Sequence, residues 1–142
     1  MPVGYAPAYT GFRGITSIPS ATSLGSVRAG AAVAMTNDGV SARLEECSST
    51  YHGDRFLGFA TVSALDGGAL SVIVTRGSNV TPIVKDGLLL VPNGRVYLSS
   101  VLGEVTQVPP ALGAPSTLIQ VGTAVTETDL ILITDARVVI SG

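Results

Sequence analysis

The stretch LLLVPNGRVYL (residues 88–98) decides the fold class of this chain. Asn93-Gly94 stands between two apolar runs, and Asn-Gly supplies the positive φ angles of a tight turn between antiparallel strands. AAVAMTNDGV (residues 31–40) repeats the arrangement, with Asp38-Gly39 following a candidate strand. Working outward, short β-branched runs separated by turn residues predict further strands at Phe56–Val62, Ala69–Thr75, Val80–Val84, Leu118–Val125, Leu130–Thr134 and Arg137–Ile140. Runs such as SVIVT and LILIT are apolar at successive positions, which predicts sheets covered on both faces, in a barrel or sandwich. The best helical candidate, ARLEECSS (residues 42–49), is short and ends in Ser-Ser. TQVPPALGAPST (residues 106–117) carries three prolines and reads as an irregular loop. The expectation is an all-β domain.

The chain echoes itself. VRAG (27–30) returns as VKDG (84–87), NDGV (37–40) as NGRV (93–96), LGFA (57–60) as VGTA (121–124), and LSVIVTRGSNV (70–80) as LILITDARVVI (130–140). The order is kept and the spacings are about 55 to 65 residues, so two similar halves are expected.

Composition narrows the function. The chain has 142 residues, 46% hydrophobic and only 13% charged, which is enough to build one core and the opposite of a disordered balance. A net charge of −2 gives no electrostatic pull toward nucleic acid. Cys47 is the one cysteine, so an intramolecular disulfide framework is excluded. No apolar run reaches the length of a membrane span, and the N-terminus lacks a signal-peptide layout, so synthesis in a cytoplasm is expected.

Catalytic signatures are sparse. His52 is the lone histidine and sits in EECSSTYHGD (residues 45–54), near Glu45, Glu46, Cys47 and Asp54. One Cys and one His fall short of a structural zinc set, and a Cys–His nucleophile pair requires a juxtaposition in space. A polar loop between strands is the plainer reading. Glu127 and Asp129, two apart, would share a strand face; their Thr neighbours favour an exposed turn instead. No nucleophile elbow, P-loop, dinucleotide fingerprint or HExxH is present. The expectation is a non-enzyme with no cofactor and no metal.

Residues 1–26 show neither alternation nor a helical period, yet carry Tyr5, Tyr9, Phe12 and Ile15 with one charged side chain, Arg13. Burying three rings does not offset the entropy of ordering so long a segment by itself. An extended N-terminal arm (1–26) ahead of a β domain (27–142) is therefore expected, ordered along a partner, for instance by adding a strand to a neighbour's edge.

The whole resembles a tailed-bacteriophage head decoration, or cement, protein. GRVYLSSVLGEVTQVPP (94–110) followed by IQVGTAVTETDLILITDARVVI (119–140) is similar in cadence to β domains of phage virion proteins, over residues 84–140. VRAGAAVAMTNDGV (27–40) and LGFATVSALDGGALSVIVT (57–75) resemble them more loosely. The resemblance implies a small β-barrel or β-tulip-like domain on the outer capsid surface of a virion, trimeric, with arms clamping neighbouring major capsid subunits. It implies no catalytic residue, no direct nucleic acid contact and no membrane. Tyr5, Tyr9, Phe12, Arg13 and Ile15 are the arm residues expected to bind capsid protein or a neighbouring copy. Two alternatives stay open: a phage tail or fibre module binding host-surface carbohydrate, with Tyr51 and Tyr97 as the candidate aromatics, and a small enzyme using His52.

Overall fold

The structure, a computed structural model, describes residues 15–37, 39, 41–109, 116–133 and 137–140. Eleven strands are defined among them: β1 Ile15–Ser23, β2 Ala32–Asn37, β3 Ala42–Glu46, β4 Phe56–Ala60, β5 Ala69–Ile73, β6 Asn79–Val80, β7 Arg95–Leu98, β8 Val105–Thr106, β9 Ser116–Ala124, β10 Leu130–Leu132 and β11 Arg137–Ile140. Among the described residues two single 3-10 turns, at Gly53–Arg55 and Lys85–Gly87, interrupt them. The first five close into a barrel in the order β1-β3-β2-β4-β5, sealed by parallel pairing of Thr22 and Ser23 with Arg43 and Leu44. The rest form a sheet ordered β6-β10-β9-β7-β8, with β11 also on β9, curled into a half-barrel.

The two orders are the same, with β1, β5, β4, β2 and β3 matched by β6, β10, β9, β7 and β8. The match extends to single bonds. Val33 lies opposite Gly58 and Val96 opposite Gly122, and in both pairs the register slips at the next residue. Gly30 N–H donates to the Ala60 carbonyl at 2.8 Å, and Asn93 N–H to the Ala124 carbonyl at 2.8 Å. Both donors have positive φ, 85° and 71°. Arg28 N–H is accepted by the Glu46 carboxylate at 2.8 Å, and Val91 N–H by the Gln107 side-chain carbonyl at 2.7 Å. The parallel closure Ser23–Leu44 has its counterpart in a single parallel bridge, Val84–Val105. The chain is one barrel plan used twice.

This equivalence corrects the echo in detail. LGFA does match VGTA, but VRAGA (27–31) matches LVPNG (90–94), not VKDG. Val72 pairs with Ala60 as Leu130 pairs with Ala124, so the LSVIVT and LILIT runs align two residues away from their best sequence match.

Strands β2 and β3 form an antiparallel hairpin with Gly39 in their connection, as expected; Asp38 lies outside the described residues. Asn93-Gly94 makes a turn but not a hairpin. Residues 88–91 form no strand, because Leu90 N–H is taken by the Glu127 carbonyl and its side chain is buried, leaving Leu88, Leu89 and Val91 exposed. ARLEE is strand β3, where Leu44 points into the core. Ile131, in LILIT, is exposed.

Nor does the boundary at residue 26 separate an arm from the domain. Ile15–Ser23 is a wall of the first barrel, with Ile15, Thr16 and Ser17 opposite Ile73, Val72 and Ser71. Strand addition takes place, but within the chain. Two flanking ladders supply the backbone bonds that side-chain burial alone left wanting.

Val27, Ala31, Val33, Leu44, Ala60, Leu70 and Val72 fill the first barrel. A second cluster joins Ala32, Ala34, Cys47, Phe56 and Phe59 of the first half to the interior of the second, including Val96, Leu98, Val121 and Leu130. Strand β2 thus buries both faces, Val33 inward and its two alanines toward the other half. Their small size lets the halves approach. Ala32 N–H donates to Gly103 and Gly103 N–H to Cys47 (3.0 and 2.7 Å), Ile83 N–H to Gly30 (3.1 Å) and Ser49 N–H to Ser99 (2.8 Å). Arg28 spans the seam, holding Glu46 through Nε and Nη2 (3.1 and 2.9 Å), the Leu102 carbonyl (2.7 Å) and Glu104 (3.5 Å).

Candidate functional site

The loop holding the lone histidine divides its residues between core and surface. Cys47 closes β3 and points into the shared core, where burial, reinforced by the nearby Glu46 and Glu45 charges, pushes its thiol up to about 12. A thiol so held is not a nucleophile near neutrality. The chain then turns through Ser48 and Ser49 and reaches His52 in left-handed backbone, φ 58°. That twist sets the His52 ring against Tyr51, centroids 4.3 Å apart and planes tilted by 51°.

Both rings face Glu45. Tyr51 donates its phenol proton to Glu45 Oε2 at 2.8 Å, and His52 Nε2 lies 3.9 Å from Glu45 Oε1. The hydrogen bond to Glu45 raises the Tyr51 pKa, with burial and the carboxylate charge adding to it. Tyr51 therefore stays a donor at any physiological pH. The result is a surface triplet of carboxylate, phenol and imidazole that can hydrogen-bond a polar ligand. Cys47 belongs to the core on the other side of the chain, so no Cys–His pair is assembled.

Glu127 and Asp129 occupy the β9–β10 turn and not a strand face. Asp129 Oδ1 accepts from the hydroxyls of Thr81 and Thr128 (2.8 and 3.1 Å), and its backbone N–H donates to Thr126 Oγ1. Its carboxylate fastens a turn. Among the described residues no group of three or more His, Cys, Asp and Glu is placed to hold a metal ion, and no helix is long and apolar enough to cross a membrane.

Of the expected arm residues, Tyr5, Tyr9, Phe12 and Arg13 lie outside the described residues, and Ile15 opens β1 opposite Ile73. Tyr97 is half-buried on β7. With Val91, Gly94, Arg95, Gln107 and Pro109 it lines a shallow groove of about 370 Å³. Leu88 and Leu89 precede this groove in the chain, and Val108 stands between two of its lining residues. Sequence reasoning missed this apolar edge. The signal was there: in an extended LLLV segment successive side chains alternate, so a buried Leu90 forces its neighbours outward.

The chain matches no family model, no curated protein and no solved structure.

Proposed function

We propose that the protein is a structural component of a tailed-phage virion, binding the outer surface of the assembled capsid and stabilising it by clamping neighbouring major capsid subunits. The observation that carries this reading is the combination of a barrel and half-barrel body with large apolar side chains left in solvent, Leu88, Leu89, Val91 and Val108 among them. Val91 and Val108 are brought to one edge by the bonds between the Val91 backbone and the Gln107 side chain, and apolar side chains gathered in this way mark surfaces that bind macromolecules. The sequence resemblance supplies the partner. Residues 1–14, with Tyr5, Tyr9, Phe12 and Arg13, run directly into β1. A pull on that segment is borne by the ladders β1 makes with β3 and β5.

The action is mechanical. A ligand that binds only the assembled shell shifts the equilibrium toward assembly. Weak contacts to several subunits reinforce one another when one body, or one trimer of such bodies, makes them together. Neither nucleic acid nor membrane is a partner in this reading, and the site of action is the capsid exterior after synthesis in the host cytoplasm.

Particles lacking the protein should release DNA at lower temperature than complete ones, and purified protein should restore the difference. The His52→Ala variant should restore it equally. Identical heat resistance with and without the protein would overturn the reading.

A second reading, a tail or fibre module for host-surface carbohydrate, draws on Tyr51. That ring is half in solvent beside a carboxylate and an imidazole, a mixture suited to sugar hydroxyls. Loss of host adsorption in Tyr51→Ala, with heat resistance unchanged, would favour it.

A further inference from the structure

Among the described residues, one face of the second half has no cover of the kind its counterpart has in the first. In the first half, β2 and the end of β3 are covered by the β7–β8 turn: Gly103 bonds the backbones of Ala32 and Cys47, and Leu102 accepts from Arg28. Ala32, Ala34 and Cys47 are fully buried as a result. The matched ladders put Arg95, Tyr97 and Val108 at the corresponding places in the second half, with Val91 in the position of Arg28. Arg95 is exposed, Tyr97 is half-buried, and Val91 and Val108 are 67% and 71% exposed.

The covering element also has a counterpart. Pair Leu98–Val105 at the base of the β7–β8 turn matches pair Met35–Leu44 at the base of the longer β2–β3 connection, and counted back along the second strand of each, Ala42, paired with Asn37, is level with Gly103. Met35, Asn37, Gly39 and Ala42 of that turn are exposed. Were the two halves related by a two-fold axis, this turn would lie on Arg95 and Val108 of its own chain, and they would be buried. The contact between the halves is therefore heterologous: one surface is used on the first half and a different one on the second.

We propose that the face around Val91, Arg95, Tyr97 and Val108 receives the β2–β3 turn of a second copy of this chain, repeating between chains the contact that joins the halves within one. A heterologous contact propagates, and closes into a ring when its rotation allows. Tyr and Arg with apolar neighbours, and no lysine, suit such an interface. It is weaker than the internal one, because Val91 and Gln107 replace the Arg28–Glu46 ion pair. The inference stands on the duplication and not on the capsid reading, so either can fail without the other. It gives the self-association in that reading a surface.

Light scattering on the full-length protein should show a mass above the monomer that grows with concentration. Val108→Asp, on the face, and Ala42→Arg, on the turn, should each be monomeric with an unchanged circular dichroism spectrum. Mixed in equal amounts they should form a dimer of one each, since the first keeps its turn and the second its face. An Arg95→Cys/Ala42→Cys chain, mimicking the bonded Ala32–Gly103 pair, should give disulfide-linked multimers and decides the matter if either charged variant misfolds. A wild type that stays monomeric, variants that still associate, a mixture without the dimer, or a cysteine pair that stays unlinked would overturn the proposal.

Discussion

Replacing Gly122 with alanine should destabilise the protein by about 2 kcal/mol, and Gly58→Ala should do nearly the same. Both glycines sit in strands, opposite Val96 and Val33, one residue before the register slips. A methyl group on Gly122 would press on the Ile131 carbonyl oxygen and lie 2.7 Å from Leu130 Cδ1. On Gly58 it would press on the Ile73 carbonyl and lie 3.2 Å from Val72 Cγ1. A backbone oxygen cannot rotate away as a side chain can, so the neighbouring strand has to move. Overpacking of this kind costs ~1–3 kcal/mol, and the lower entropy of the unfolded alanine chain offsets about 0.5 kcal/mol of it. For a chain of 142 residues, 2 kcal/mol is roughly 5–10 °C in Tm. Gly77→Ala is the comparison: φ is +90° with nothing within 4 Å, so only the left-handed backbone is penalised, at about 1 kcal/mol. Calorimetry on the three variants gives the ranking. If Gly122→Ala melts with the wild type, the close approach of β9 and β10 is wrong. If Gly58→Ala and Gly122→Ala differ widely, the two halves do not share a packing plan.

Three further outcomes follow from the same contacts. The Cys47 thiol is neutral in both states below about pH 9; above that the unfolded chain, at its ordinary value of 9.0, ionises while the folded thiol holds its proton to about 12. Stability carried by Cys47 is thus full below pH 9 and falls by about 1 kcal/mol per pH unit above it, so the difference between wild type and Cys47→Ala in urea unfolding should shrink across that window; a constant difference would refute it. Arg28→Val should cost about 1–3 kcal/mol, because Glu46, only 11% exposed, loses its partner beside Glu104, while Arg28→Val/Glu46→Gln, which installs the second half's Val91–Gln107 solution, should cost less; equal costs in denaturant titrations would mean that Glu46 needs no counterion. Removing residues 1–14 should abolish binding to undecorated capsids, whereas removing 1–26 also takes away β1 and should open the first barrel; a truncated 27–142 chain as stable as the full one would contradict the barrel closure.

Strand positions were legible in the β-branched and apolar runs of β4, β5, β9, β10 and β11, but not at 88–91, nor at 80–84, where only Asn79–Val80 is a strand. The duplication was legible through the Gly58 and Gly122 segments, because a glycine forced by a close backbone approach recurs for the same physical reason in both halves. Its register was not. VRAGA and LVPNG share a hydrogen-bonding plan in which Gly30 and Asn93 both adopt positive φ, and dissimilar side chains meet that requirement equally well. Strand β1 was hidden for a related reason. Its stability comes from backbone ladders on both sides, which leave no mark in hydrophobic periodicity. The surface triplet of Glu45, Tyr51 and His52 was half legible: the segment was recognised, but sequence could not show that Cys47 points to the opposite side. The exposed edge at Val91 and Val108 depends on which half covers the other, which no local pattern encodes.

Counting copies of the protein per particle tests the central claim most directly. Quantitative mass spectrometry on gradient-purified virions, referenced to the major capsid protein, should give a copy number on the scale of the capsid subunits. A count on the scale of tail proteins, or absence from the particle, would contradict the account.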